Sequence, residues 1–292
     1  MSRLPKLLVA VAAATLLLTV PARAQAEPSA SVFTPTTGAG VEVGVPVLVT
    51  GRTFRTAPEA IGAAELTFDG GATWVTTELL RVLSGFRTDW RHTYTPEVAG
   101  DVTIAARAVT AEGPGATGPA VTVHVGGTTV PQPLDCSVRC EFASHYAPEV
   151  DDPDTAPVEV GVRVRVDRPG EVLGASLLRG AYRGPIALRM WSGTGVLLAE
   201  RAWDHPGRMA EIDFPTPVPV EPGHDYVISY YTPQGGYATS EHYFTGTVVR
   251  APFIAPHDGT NGAGVYHYGL DGGFPTESWH DSTYWVLPEF RG

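Results

Sequence analysis

The chain has 292 residues and a formal net charge of −11, with 33 glycines, 26 prolines and only 17% charged residues. That acidic balance argues against nucleic acid or an anionic membrane surface as partner, and it suits neutral or cationic material. The Gly and Pro content favours many short strands joined by turns, and no stretch after the N-terminus carries helical periodicity.

The first residues read as an export signal. Arg3 and Lys6 form a short basic region, Leu7–Val20 is apolar and uncharged, and small residues flank Ala24 and Ala26. Cleavage is expected after one of these two alanines. The apolar run is shorter than the roughly 20 residues a spanning helix needs. The mature chain is therefore expected outside the cytoplasm with no membrane span. Loss of Arg3, Lys6 and Arg23 with residues 1–26 takes the net charge to −14.

Residues 27–37 read as a polar leader. From there to residue 126 short alternating segments follow one another: Val41–Val49, Ala64–Phe68, Trp74–Thr77, Trp90–Tyr94, Asp101–Val109 and Ala120–Val125. Their number and spacing predict an immunoglobulin-like β-sandwich over 38–126, with Trp74 and Trp90 as core residues. The run Glu65–Trp74 with its Asp69-Gly70-Gly71 turn, then Trp90 and Gly100–Ala108, resembles the immunoglobulin-like dimerisation domain of sulfite-oxidase-type enzymes. The resemblance implies a spacer or assembly role; no molybdenum-cofactor domain precedes it, so it carries no activity.

Residues 127–134, rich in Gly and Pro, read as a semi-rigid linker. Cys136 and Cys140, the chain's two cysteines, are expected to pair in an oxidising compartment, closing a small loop of modest effect. Residues 135–292 then read as a second, jelly-roll-like β-sandwich. Its clearest strand is Val158–Val166, with five valines on one face and Glu159, Arg163 and Arg165 on the other. Further strands are predicted at Glu171–Leu178, Ile186–Trp191, Val196–Trp203, Ala210–Phe214, Tyr226–Tyr231 and Tyr284–Phe290. The fold expected is all-β, an immunoglobulin-like sandwich followed by a jelly-roll-like one.

Blocks in this half, including Val158–Val162, Trp191–Ala199, Pro217–Tyr237, Gly264–Gly269, Gly273–Thr276 and Tyr284–Val286, resemble the bacterial domain-of-unknown-function 4082 family. The resemblance implies a secreted β-sandwich and supplies no catalytic set. The chain departs from the family pattern at Arg183–Pro185, around Arg208-Met209 and at Thr283–Leu287, so a family site using those positions is altered here.

No hydrolase elbow, zinc-protease, phosphate-loop or dinucleotide motif occurs. Ser278, His280 and Asp281 are triad residue types, but neighbours on one extended segment cannot form a triad by themselves. Asp258, Asp271, Glu277 and Asp281 offer carboxylates for glycosidase-type pairing or for solvated turns. No cofactor is expected, with one exception: Asp151, Asp152 and Asp154 offer oxygens of the kind a structural calcium takes. The last 67 positions hold 14 of the chain's 27 aromatic residues. Tyr237, His242, Tyr266 and Trp279 lie near Gly-rich turns and are the expected exposed ligand-binding set, against the alternative that aromatics fill the core. The sequence thus points to a non-catalytic module binding extracellular glycan or cell-wall material. A structural or cell-surface protein-interaction module is the alternative, and a glycan hydrolase the third reading.

Overall fold

The computed structural model describes residues 28–54, 61–84, 87–131, 134–142, 147 and 149–292. The expected export signal, residues 1–26, lies outside the described residues. The protein is all-β, and no described residue is helical.

The first unit contains β1 (Ser29–Thr34), β2 (Ala39–Val41), β3 (Val47–Phe54), β4 (Ile61–Thr67), β5 (Val75–Thr76), β6 (Glu78–Ser84), β7 (Arg87–Tyr94), β8 (Gly100–Thr110), β9 (Gly113–Pro114) and β10 (Val121–Val125). They form two sheets, β1-β3-β7-β6 and β2-β10-β8-β4-β5, with β9 paired to β8. Apolar residues from both sheets meet in one core around Val49, Leu66, Trp90, Ile104 and Val123. Trp90 is fully buried, as expected. Trp74 is not in that core: it is half-buried, donates from Nε1 to the Gly71 carbonyl and lies under the Arg107 guanidinium. The Asp69–Gly71 turn carries it to the surface, where a cation covers its face.

Two expectations are corrected here. The polar leader is not a leader, because Ser29–Thr34 pairs along β3 and buries Ala30 and Thr34. Its small polar residues hide the strand pattern, and the Thr34 hydroxyl is satisfied by Leu48 O and Thr50 Oγ1. The linker is also less free than its composition suggests. Val130 N donates to Gly38 O, and Gly40 N donates to Thr129 Oγ1, tying this segment to the first unit.

The second unit contains β11 (Cys140–Glu141), β12 (Val150–Asp151), β13 (Val158–Val166), β14 (Gly170–Leu178), β15 (Ile186–Ser192), β16 (Leu197–Trp203), β17 (Met209–Val220), β18 (Tyr226–Thr232), β19 (Ala238–Thr239), β20 (Val248–Arg250), β21 (Phe253–Ala255), β22 (Gly264–Tyr268) and β23 (Val286–Arg291). One sheet runs β11-β23-β14-β17; the other runs β16-β15-β18-β13-β21-β20, with β22 also paired to β13. The five valines of β13 are all buried and face the inner side of the opposing sheet, where Val172, Leu177, Ile212 and Phe290 complete the core. Cys136 and Cys140 are joined in a disulfide with Cα atoms 5.3 Å apart.

The other face of β13 is closed off at Glu159, while Arg163 and Arg165 further along stay partly exposed. Glu159 is fully buried and bound by Arg189 Nη1 and Ser229 Oγ, both at 2.6 Å, while Trp191 Nε1 donates to Ser229 Oγ at 2.9 Å. The segment after β22 covers this network: Phe274 packs on Trp191, Val227 and Val265. Desolvation dominates, and burial pushes the Glu159 carboxyl up to about 7 despite its serine and arginine partners.

The two units interlock. Segment 242–254 of the second lies along β1, β3 and β7 of the first. Leu48 N donates to Thr247 O, Thr247 N to Pro46 O, and Thr36 N to Val249 O. Thr93 and Thr245 share a hydroxyl hydrogen bond, and Arg91 donates to the His242 carbonyl.

Candidate functional site

At one end of the second sandwich three segments converge on a cavity of about 360 Å3. Its lining includes Asp152, Asp154, Tyr237, Glu241, Tyr266, Tyr268, Trp279, Ser282 and Tyr284. The placement follows from strand pairing. β12 pairs with β19, setting Val150 opposite Thr239 and Asp151 opposite Ala238. That register puts Asp152 beside Tyr237, and Asp152 N donates to Tyr237 O. The chain reaches Tyr237 through Gly235 and Gly236, whose φ values of 57° and 60° lie in the left-handed region. A Cβ at Gly235 would also collide with the Asp154 carbonyl oxygen.

Tyr266 and Tyr268 come from β22, two residues apart and so on one face. Their rings meet edge-on at 5.6 Å. Tyr284 meets Tyr237 edge-on at 5.6 Å and Tyr266 at 6.4 Å, so four tyrosines form one contiguous wall. Tyr268 OH donates to Asp154 Oδ2 at 2.5 Å. Burial and that carboxylate push the Tyr268 phenol up to about 12. Tyr237 is raised further, first by burial and then by the Asp152 charge. These phenols stay protonated at neutral pH and act as hydrogen-bond donors.

The rim is built by the turn Trp279–Ser282, in which Ser282 N donates to Trp279 O. His280 and Asp281 carry φ of 45° and 51°, the pattern of a type I′ turn. Backbone bonds from His242 N to His280 O and from Phe244 N to Asp281 O hold it. Trp279 stacks on His280 and donates from Nε1 to Glu241 Oε1; His280 Nδ1 lies 3.1 Å from Glu241 Oε2. These two contacts hold the Glu241 carboxyl below its usual range. On the cavity floor Ser282 is 1% exposed, and its Oγ has no hydrogen-bond partner.

The sequence-selected residues fall as follows. Tyr237, Tyr266 and Trp279 come together, and His242 stands just outside, its ring parallel to that of His280. They do not form an exposed platform. Trp279 is 53% exposed, but Tyr237 is 8% exposed and belongs to the core cluster, and Tyr266 is half-buried. The Gly-rich turn before Tyr237 folds its ring inward rather than presenting it. Asp152 and Asp154 join the aromatic set in the same cavity, whereas Asp151 points elsewhere and pairs with Arg208. Glu289, on β23, is buried and bound by Arg139 and Ser176. Asp258 accepts from the backbone of its own turn at Thr260 and Asn261, and Asp281 accepts from Gly262 N. Glu241 and Ser282 are not legible as site residues, and Tyr268 is legible only as a member of the aromatic excess. Their convergence is set by the pairings of β12, β19 and β22 and by the bridge between Ser240 and Thr283.

Residues 145–286 match the family described as a domain of unknown function (DUF4082). No curated protein matches the chain. Among solved structures, fibronectin(III)-like modules of CbhA from Clostridium thermocellum are 17% identical, with a TM-score of 0.25 over 33% of this chain and 93% of that one. A carbohydrate-binding module of the β-sandwich superfamily is 11% identical, with a TM-score of 0.23 over 72% and 92%. SGBP-B from the mixed-linkage glucan utilisation locus of Bacteroides ovatus, solved with a mixed-linkage heptasaccharide, is 14% identical, with a TM-score of 0.23 over 68% and 51%. Likeness this distant says nothing of function. Among the described residues no helix is long and apolar enough to cross a membrane.

Proposed function

We propose that the mature protein is a secreted, non-catalytic module that binds extracellular carbohydrate or cell-wall glycan in this cavity, with the first unit as its spacer. One observation carries the reading: an exposed indole, Trp279, shares a cavity with two carboxylates, Asp152 and Asp154, that have no ion-pair partner among the described residues. A sugar presents polarised C–H groups on its ring faces and hydroxyls at its edge. An indole face takes the first, and carboxylates and phenols take the second. Few convergent polar groups in a mostly aromatic cavity are what small-ligand sites use. The disulfide fits an oxidising compartment. Asp152 and Asp154 serve this reading as hydroxyl acceptors, and no calcium is invoked.

The test is a glycan array probed with the intact mature protein, in parallel with pull-down on isolated cell walls. Retention on a defined glycan supports the reading; no retention on any glycan or wall overturns it. The protein-interaction reading has its own supporting observation: Val196, just before the edge strand β16, and Leu197 and Leu198 at its start are 59%, 44% and 41% exposed. An apolar edge of this kind is a surface to which another chain can pair.

A further inference from the structure

The turn that carries Trp279 also gathers side chains that the glycan reading does not use. Glu241, His242 and His280 each offer one ligand atom, and these atoms all lie within 4.8 Å of one another. The two imidazole rings are near-parallel, 18° apart in plane with centroids 5.6 Å apart. The two segments that carry them are stitched by four backbone hydrogen bonds: Ser240 N to Thr283 O, Thr283 N to Ser240 O, His242 N to His280 O, and Phe244 N to Asp281 O.

Both histidines sit where the backbone is costly. His242 has φ of 55° and His280 has φ of 45°. A non-glycine residue in the left-handed region persists only when its surroundings impose it. Here the cross-segment bonds impose it on both. A surface His–Glu pair between His280 and Glu241 would need neither the strain at His242 nor the third donor.

We propose that Glu241, His242 and His280 form a binding site for a divalent transition-metal ion of the zinc, copper and nickel class. The proposal does not require that the cavity bind glycan, although Glu241 also lines that cavity. Two imidazoles and one carboxylate are the donor set these ions favour, and three protein ligands leave a position open for water or another ligand. Calcium and magnesium are the wrong class, since they take six or more oxygens and do not use imidazole. Metal–donor bonds of about 2.0–2.1 Å put tetrahedral donors roughly 3.3 Å apart, so the three atoms close on an ion by rotation of side chains that are all exposed. The surroundings already orient the ligands: Trp279 donates from Nε1 to Glu241 and stacks on His280 at 4.0 Å. Partners that fix a ligand in this way matter to affinity as the ligands do. Arg91 of the first unit holds the His242 carbonyl, so the site is anchored to both sandwiches.

The experiment is isothermal titration of tag-free mature protein, first dialysed against a chelator, with zinc, copper(II), nickel, calcium and magnesium chlorides. Saturable binding of one zinc or copper ion per chain, with none for calcium or magnesium, is expected. His242→Asn and His280→Asn are the chosen variants, because asparagine tolerates the left-handed backbone that each position requires. Each is expected to weaken binding by about 10-fold or more. Glu241→Gln, which leaves both backbone strains untouched, is expected to weaken it in the same direction. His224→Ala, at an exposed histidine outside the cluster, should leave binding unchanged. Absence of saturable zinc, copper or nickel binding overturns the proposal. So does binding that survives in all three cluster variants, which would place the ion elsewhere.

Discussion

Leu48 and Val249 are exchanged between the two cores: Leu48, on β3 of the first sandwich, packs in the core of the second, and Val249, on β20 of the second, packs in the core of the first. Both have 0% exposure. Each half thus contributes a side chain that the other needs, and the parallel bridge from Val47 to Thr247 fixes their register.

Cooperative unfolding of the two sandwiches as one unit follows. Leu48→Ala removes a fully buried side chain from the shared boundary and should cost about 2–5 kcal/mol. Denaturant unfolding followed by tryptophan fluorescence and by amide exchange at Val49 and Ile228 should show one transition, shifted as a whole. Two separated transitions, with only one moved by the substitution, would show that the halves unfold independently.

The buried Glu159 gives a pH dependence of known sign. Its folded pKa, about 7, lies above the ordinary value of 4.5. Between these values the folded state holds a proton that the unfolded state has lost, so the contribution to stability is complete below about 4.5 and falls as pH rises through about 7. Each tenfold difference in proton affinity is worth about 1.4 kcal/mol. Urea midpoints measured from pH 4.5 to pH 8 should fall more steeply for the wild type than for Glu159→Gln. Parallel curves for the two proteins would sink this account of the network.

The disulfide should contribute modestly. It spans a sequence separation of 4, and chain-entropy reasoning gives about 2 kcal/mol for so small a loop. Reduction should lower the melting temperature by a few degrees and leave the far-ultraviolet spectrum unchanged. Collapse of both sandwiches on reduction would mean that the bridge holds the fold rather than one strand entry.

The sequence made the strands legible where alternation is complete. The valines of β13 are buried as their period predicts, and the boundaries of β14, β15 and β18 fall within a residue of expectation. It misled where a distant segment changes what a face meets. Glu159 reads as solvent-facing until the stretch carrying Phe274, over 100 positions later, folds across it. β1 was hidden because Ser and Thr can be buried when β3 supplies their partners. The interlock at Leu48 and Val249 leaves no local trace, since alternation records that a side chain is buried but not in which core. At the candidate site the aromatic excess gave the region, while exposure was misjudged at Tyr237 because a Gly-Gly turn can aim a ring either way.

Titration of the best array glycan into wild type, Trp279→Ala, Asp152→Asn and Tyr237→Ala, with melting curves on each, decides whether the Trp279 cavity binds glycan. Trp279 is exposed, so its replacement should change stability by no more than about 0.5 kcal/mol, as surface substitutions usually do. It should nevertheless weaken binding by about 2 kcal/mol, roughly 30-fold. Asp152→Asn should also weaken binding while the protein stays folded. Tyr237→Ala should instead destabilise the fold by about 3–5 kcal/mol, the cost of truncating a buried aromatic. Binding unchanged in both Trp279→Ala and Asp152→Asn, with the fold intact, would contradict the account and move the glycan site away from this cavity.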